Sequence, residues 1–93
     1  MKTVVPLPSF ERTVKRLDVH AKELLAKSLE AFNSFLVSGR SPVGFRFKKI
    51  NHDKYEFRVD IRLRVVVKEE GDTFYLVLAG NHDDVRRYLR EYR

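Results

Sequence analysis

Between Tyr55 and Val67 every second residue is apolar: Tyr55, Phe57, Val59, Ile61, Leu63, Val65 and Val67, with Glu56, Arg58, Asp60, Arg62 and Arg64 filling most of the positions between. A period of two belongs to a strand with one buried face. The run far exceeds the usual ~5–6 residues of a strand, so it folds back on itself, and Asp60 marks the turn. A two-residue loop would set Val59 across from Arg62 and expose Leu63 and Val65, because a slip of one residue inverts the faces. A three-residue loop over 60–62 keeps both arms apolar inward and places Arg58 directly across from Arg64. Like charges facing each other across a strand pair repel. On a wet face they simply splay into solvent. The pairing gains a purpose if an anion sits between them, since arginine presents a planar fork suited to phosphate.

The expected strands are 55–59, 63–68 and 73–79. Glu69, Glu70, Gly71 and Asp72 have the composition of a four-residue hairpin loop. That loop pairs Val67 with Phe74, Val65 with Leu76 and Leu63 with Leu78, and leaves Tyr75 and Val77 on the outward face beside Arg64.

With 93 residues the chain is read as one domain, burying ~60–65% of its unfolded surface. There is no cysteine, which excludes disulfides and thiolate metal sites. No apolar stretch has the length of a membrane span, and the opening residues lack the apolar core of a signal peptide. A soluble, cytoplasmic protein without a membrane partner is expected. Lys and Arg total 19 against 13 acids, a formal charge of +6. That excess favours a polyanionic or acidic partner and speeds encounter with nucleic acid.

Ahead of the central stretch, residues 2–7 read as a short edge strand ended by Pro6 and Pro8. Ser9 is placed as the N-cap of a helix over 10–17, with Phe10, Val14 and Leu17 on one stripe. Asp18 caps a longer helix whose inward stripe Ala21, Leu24, Leu25, Ser28, Leu29, Phe32, Phe35 and Leu36 follows three-and-four spacing, and Gly39 stops it. Residues 38–44, with Gly39, Pro42 and Gly44, connect to a strand over 45–50, and 51–54 turn into the central stretch. After the last strand, Asn81 caps a final helix with Asp83 and Asp84 in its first turn and Val85, Tyr88 or Leu89, and Tyr92 as its apolar stripe. The fold class is therefore α+β: an N-terminal strand, a helical hairpin on an antiparallel sheet of four to five strands, and a C-terminal helix.

The chain has no glycine-rich phosphate loop and no serine or cysteine nucleophile motif. His82, Asp83 and Asp84 are adjacent rather than spaced one helical turn apart, so no metal site is assigned. No cofactor is expected. His20, among polar neighbours, is read as a surface residue. What remains is a set of groups expected to converge at one end of the sheet: Arg58, Arg64, His82 and Tyr88. Lys48, Lys49, Lys54, Arg62 and Arg86 add basic surface for RNA. Such groups suit metal-free RNA cleavage, in which a 2′-hydroxyl attacks the neighbouring phosphate, guanidinium groups stabilise the developing charge, and a histidine moves protons.

The segments Tyr55-Glu56-Phe57-Arg58-Val59, Arg62-Leu63-Arg64-Val65-Val66, Gly71-Asp72-Thr73-Phe74-Tyr75-Leu76-Val77-Leu78 and Gly80-Asn81-His82-Asp83-Asp84-Val85 resemble the RelE/ParE toxin superfamily of type II toxin–antitoxin modules. The likeness covers nearly the whole chain in element order. It implies a compact RelE-like toxin over residues 1–93, neutralised by a cognate antitoxin in a hetero-oligomer. RelE-like members cleave messenger RNA on the ribosome, whereas ParE-like members poison DNA gyrase. Carried over by position, Arg58 and Arg64 fall on basic strand positions of the RelE branch, and His82 on the basic position after the glycine. Tyr88 meets the C-terminal tyrosine without a gap, while a shift of two residues puts Arg86 there. A gyrase inhibitor and a nontoxic RNA- or protein-binding module on the same scaffold stay open beside the endoribonuclease.

Overall fold

The structure, a computed structural model, describes residues 2–40 and 44–91. In chain order the elements are β1 (Thr3–Pro6), α1 (Pro8–Lys15), α2 (Val19–Ser38), β2 (Lys48–Lys49), β3 (Lys54–Arg58), β4 (Arg64–Glu70), β5 (Thr73–Gly80) and α3 (His82–Glu91). They build one five-stranded sheet in the order β1-β5-β4-β3-β2. Strands β2 to β5 are antiparallel as expected, and β1 joins β5 in parallel at the edge.

The first loop forms as the alternation requires. Val59 N–H donates to Leu63 O at 2.8 Å, and the Asp60 carboxylate accepts from Arg62 N at 2.8 Å and Leu63 N at 2.6 Å. This leaves Arg58 paired with Arg64. The second turn differs. Glu70 pairs with Thr73, so the hairpin closes over two residues, with Gly71 in the left-handed region at φ 60°. Only glycine enters that region without strain. The register then slips between Val66 and Val67, which pair with Leu78 and Leu76. Val77 is the extra residue of a bulge, and a bulge inverts the faces beyond it. Val65 consequently meets Ala79, and Leu78 turns to the outer face, where an unbroken ladder would have kept it inside.

Each face has its own core. Beneath α1 and α2 lie Phe10, Leu25, Phe32, Phe45, Phe57, Leu63, Val65, Val67, Phe74, Leu76 and Ala79. Phe32 is fully buried, its ring 5.0 Å from that of Phe57 and 5.7 Å from that of Phe74. Truncating such a residue to alanine costs about 3–5 kcal/mol. On the other face Val66 and Val77 pack with Val85 of α3, flanked by Leu78, Tyr88 and Leu89. Val77 is thus covered by the last helix rather than left on an open surface. Tyr92 and Pro42, assigned from the sequence to the α3 stripe and to the connecting loop, lie outside the described residues.

The helix ends separate caps from look-alikes. Asp18 accepts from Ala21 N at 2.8 Å and starts α2, and Gly39, at φ 77°, ends it by donating to Phe35 O. Ser9, expected as an N-cap, lies inside α1, which begins at Pro8 with Leu7 as a cap that makes no side-chain bond. A proline at the first helical position supplies the required φ. The Ser9 hydroxyl instead donates to Val77 O at 2.7 Å, and one turn later Thr13 Oγ1 accepts from Ala79 N at 3.0 Å. β1 pairs with β5 only as far as Leu76. Helix α1 therefore continues the sheet edge with two hydroxyls where the strand stops, satisfying backbone groups that burial would otherwise orphan.

The strand expected over 45–50 shrinks to Lys48–Lys49. Arg46 sits at φ 53° and breaks the ladder there, while Phe45 O still accepts from Arg58 N at 2.8 Å. Both Phe45 and Phe47 nonetheless point into the inner core.

Candidate nucleic-acid interface

Alternation along three strands sends Lys48, Glu56, Arg58 and Arg64 to the outer face, and they meet beyond the area that α3 covers. With Arg46 they line a small recess of about 70 Å³. Its floor is Glu56, whose side chain is 7% exposed. One oxygen, Oε1, takes both Arg64 Nη1 at 3.2 Å and Lys48 Nζ at 3.4 Å. The carboxylate links β2, β3 and β4 and fixes the guanidinium of Arg64 in place. Four cations around one carboxylate leave a surplus of positive charge. The guanidinium of Arg58, a half-buried residue, has no hydrogen-bond or ion-pair partner among the described residues. The repulsion inherent in the Arg58–Arg64 pairing is therefore relieved on one side only.

A larger cleft of about 540 Å³ opens on the far side of the 60–62 loop, between that loop, the junction of α1 with α2, and α3. Tyr88 lines it together with Arg62, Leu63 and Gly80. The two recesses are neighbours, because Arg64 of the first pairs across the sheet with Gly80 of the second.

The sequence-derived residues thus divide. Arg58 and Arg64 share the small recess, with Lys48 at its rim. Tyr88 faces the cleft, with Arg62 on its loop wall. His82 is exposed on the first turn of α3 and lines neither. Arg86 is exposed on α3. Lys49 pairs with Tyr55 and stands 5.9 Å from its ring, on the opposite side of the sheet from Lys48. Lys54, expected as basic surface for RNA, is buried instead: it is 6% exposed, ion-paired to Asp53 at 3.0 Å and 6.0 Å from the Tyr88 ring, so it anchors structure and offers no open charge. Its hydrogen bond holds the Asp53 carboxyl below the ordinary range.

Two members of the recess were absent from the sequence-derived set. Glu56 shares outward parity with Arg58, and Arg46 shares it with Lys48, so alternation alone carried the signal. Among the described residues no group of three or more His, Asp or Glu side chains stands close enough together to hold a metal ion. Among the described residues no helix is long and apolar enough to cross a membrane.

No protein-family model matches the chain. No curated protein matches it either. Solved structures do. The RelB–RelE antitoxin–toxin complex from Methanococcus jannaschii is similar with a TM-score of 0.67 at 16% identity, over 90% of this chain and 96% of the other. The DinJ–YafQ toxin–antitoxin complex of E. coli gives 0.64 at 11% identity, over 90% and 96%. A metal-bound toxin from Helicobacter pylori gives 0.61 at 21% identity, over 91% and 99%. Likeness at such identities is a likeness of architecture, and in each comparison it takes in 90% or more of this chain and of the chain it matches. With its N-terminal strand, helical hairpin, mixed sheet and C-terminal helix, this chain has the RelE-like toxin fold.

Proposed function

We propose that residues 1–93 act as a single toxin domain of a type II toxin–antitoxin pair, and that it cleaves messenger RNA on the ribosome in the cytoplasm. The observation that carries this reading is the Arg58–Arg64 pair across β3 and β4, opening with Arg46 and Lys48 into one recess. Two forks on adjacent strands suit one phosphodiester, whose non-bridging oxygens each accept from a guanidinium. As the 2′-hydroxyl attacks, charge builds on those oxygens, and fixed cations favour that state over the ground state. Glu56 orients Arg64 so that little reorganisation is left for the reaction itself.

His82, two residues beyond the Gly80 that pairs with Arg64, is assigned proton transfer. A proton leaves the 2′-hydroxyl, a 2′,3′-cyclic phosphate forms, and the departing 5′-oxygen gains a proton. Tyr88 and Arg62 contact the RNA from the cleft side, with Lys48, Lys49 and Arg86 as outlying charge. A cognate antitoxin is the protein partner, supported by the RelB–RelE and DinJ–YafQ complexes that share the architecture. The test is expression without an antitoxin. Growth should arrest and messenger RNA should be cut, and Arg58→Ala and Arg64→Ala should abolish both.

A further inference from the structure

We infer that the cleft between the 60–62 loop, the α1–α2 junction and α3 is a nucleoside subsite, holding the base and ribose next to the phosphodiester bound at Arg58 and Arg64. The inference rests on the proposed function and adds to it the part that reads the substrate. At about 540 Å³ the cleft falls in the ~300–1,000 Å³ range typical of small-ligand sites, and a nucleoside fits it. Leu17, Leu63, Leu78 and the Tyr88 ring provide apolar surface for a base.

Both walls are preformed. Asp60 holds the loop through two backbone N–H groups. Asn81 and Asp84 cap α3 reciprocally: Asp84 N donates to Asn81 Oδ1 and Asn81 N to Asp84 Oδ2, each at 2.9 Å. Of the three acids that line the cleft, Asp60 and Asp84 are thus engaged by backbone N–H groups, and Glu91 stands exposed at the end of α3. Arg16 and Arg62 are exposed, and neither guanidinium has a partner among the described residues. A base bound here meets cations at the mouth and apolar atoms beneath, the combination by which proteins hold single-stranded nucleic acid.

Position supports the same occupant. The 60–62 loop joins Arg58 to Arg64, and Gly80 lies across from Arg64 while lining the cleft. A strand of RNA with its phosphate at the arginine pair thus reaches the cleft within one nucleotide.

The test is an amide NMR titration of the ¹⁵N-labelled full chain with a single-stranded RNA hexamer, and with the same hexamer made abasic throughout. The inference predicts shifts at Leu17, Leu63, Ala79 and Tyr88 with the base-bearing hexamer that vanish with the abasic one, while shifts at Glu56 and Arg64 persist with both. Arg16→Glu, a surface change outside the small recess, should weaken the base-bearing hexamer about tenfold and the abasic one by less, since the abasic strand loses only the phosphate attraction. Equal cleft shifts with both hexamers would overturn the inference, because the cleft would then hold backbone phosphate. Shifts confined to the small recess would overturn it and leave the proposed function standing. No shift at either place would remove both.

Discussion

Glu56 Oε1 and Arg64 Nη1 stand 3.2 Å apart on neighbouring strands, in a recess where the carboxylate side chain is 7% exposed and the guanidinium side chain 20%. Arg58, directly across from Arg64, has no such partner among the described residues. The two arginines share a recess and differ in what holds them. Arg64→Ala strips a buried carboxylate of one of its two cations and should cost about 1–3 kcal/mol of stability. Arg58→Ala should stay within about 0.5 kcal/mol of wild type. Chemical denaturation of the two variants separates the roles, and comparable losses would show that Arg58 is held by something else.

Thr13→Val keeps the shape of the side chain and deletes the hydroxyl that accepts from Ala79 N–H. A part-buried donor is then left without its partner, at a cost of about 1–3 kcal/mol. Thr13→Ser should recover most of that loss. The Ala79 amide should exchange with solvent faster in Thr13→Val and near the wild-type rate in Thr13→Ser, as read by hydrogen exchange.

A Cβ on Gly80 would stand 2.7 Å from both Cβ and Oδ2 of Asp84. Gly80→Ala therefore forces the start of α3 to shift and weakens its reciprocal cap, at a cost of about 1–3 kcal/mol. Melting temperature should fall, and exchange should quicken at Asp84 and Val85 before it quickens in β4.

At the far end of the sheet Lys2 Nζ lies 2.7 Å from Glu69 Oε2 and donates to Gly71 O, while Tyr55 donates to Glu69 Oε1 at 3.1 Å. The bond from Lys2 holds the Glu69 carboxyl below its ordinary range, and burial with the Glu69 contact pushes the Tyr55 hydroxyl up. A depressed carboxyl stabilises the fold above its unfolded value and loses that contribution as pH falls through the folded one. Acid titration of wild type should weaken the pairing of β1 with β5 in the range below the ordinary glutamate value. Glu69→Gln should flatten that dependence, measured as unfolding free energy against pH.

Much of this arrangement was legible in the alternation around Asp60. It fixed the loop, the face of each side chain, and the Arg58–Arg64 pairing, because any other register would expose Leu63 and Val65. The bulge at Val77 was not legible, since Glu69, Glu70, Gly71 and Asp72 suit a four-residue loop as well as a two-residue turn, and nothing local marks an extra residue five positions on. Its result, Leu78 beneath α3 with Ala79 inside, depends on how the last helix packs. Ser9 has the chemistry of a helix cap, but Pro8 starts the helix first and frees the hydroxyl for Val77. Lys54 looked like surface charge because burial of an alternating outward position requires a cover, here Tyr88 from α3, that only tertiary structure supplies.

Incubating the purified chain with programmed ribosomes and mapping the ends of the messenger RNA tests the whole account most directly. The account predicts cuts that leave a 2′,3′-cyclic phosphate on one fragment and a 5′-hydroxyl on the other, with rates lowered ~10²–10³-fold or more in Arg58→Ala and Arg64→Ala. Intact messenger RNA with the wild-type chain, or cutting unchanged in both variants, would contradict it.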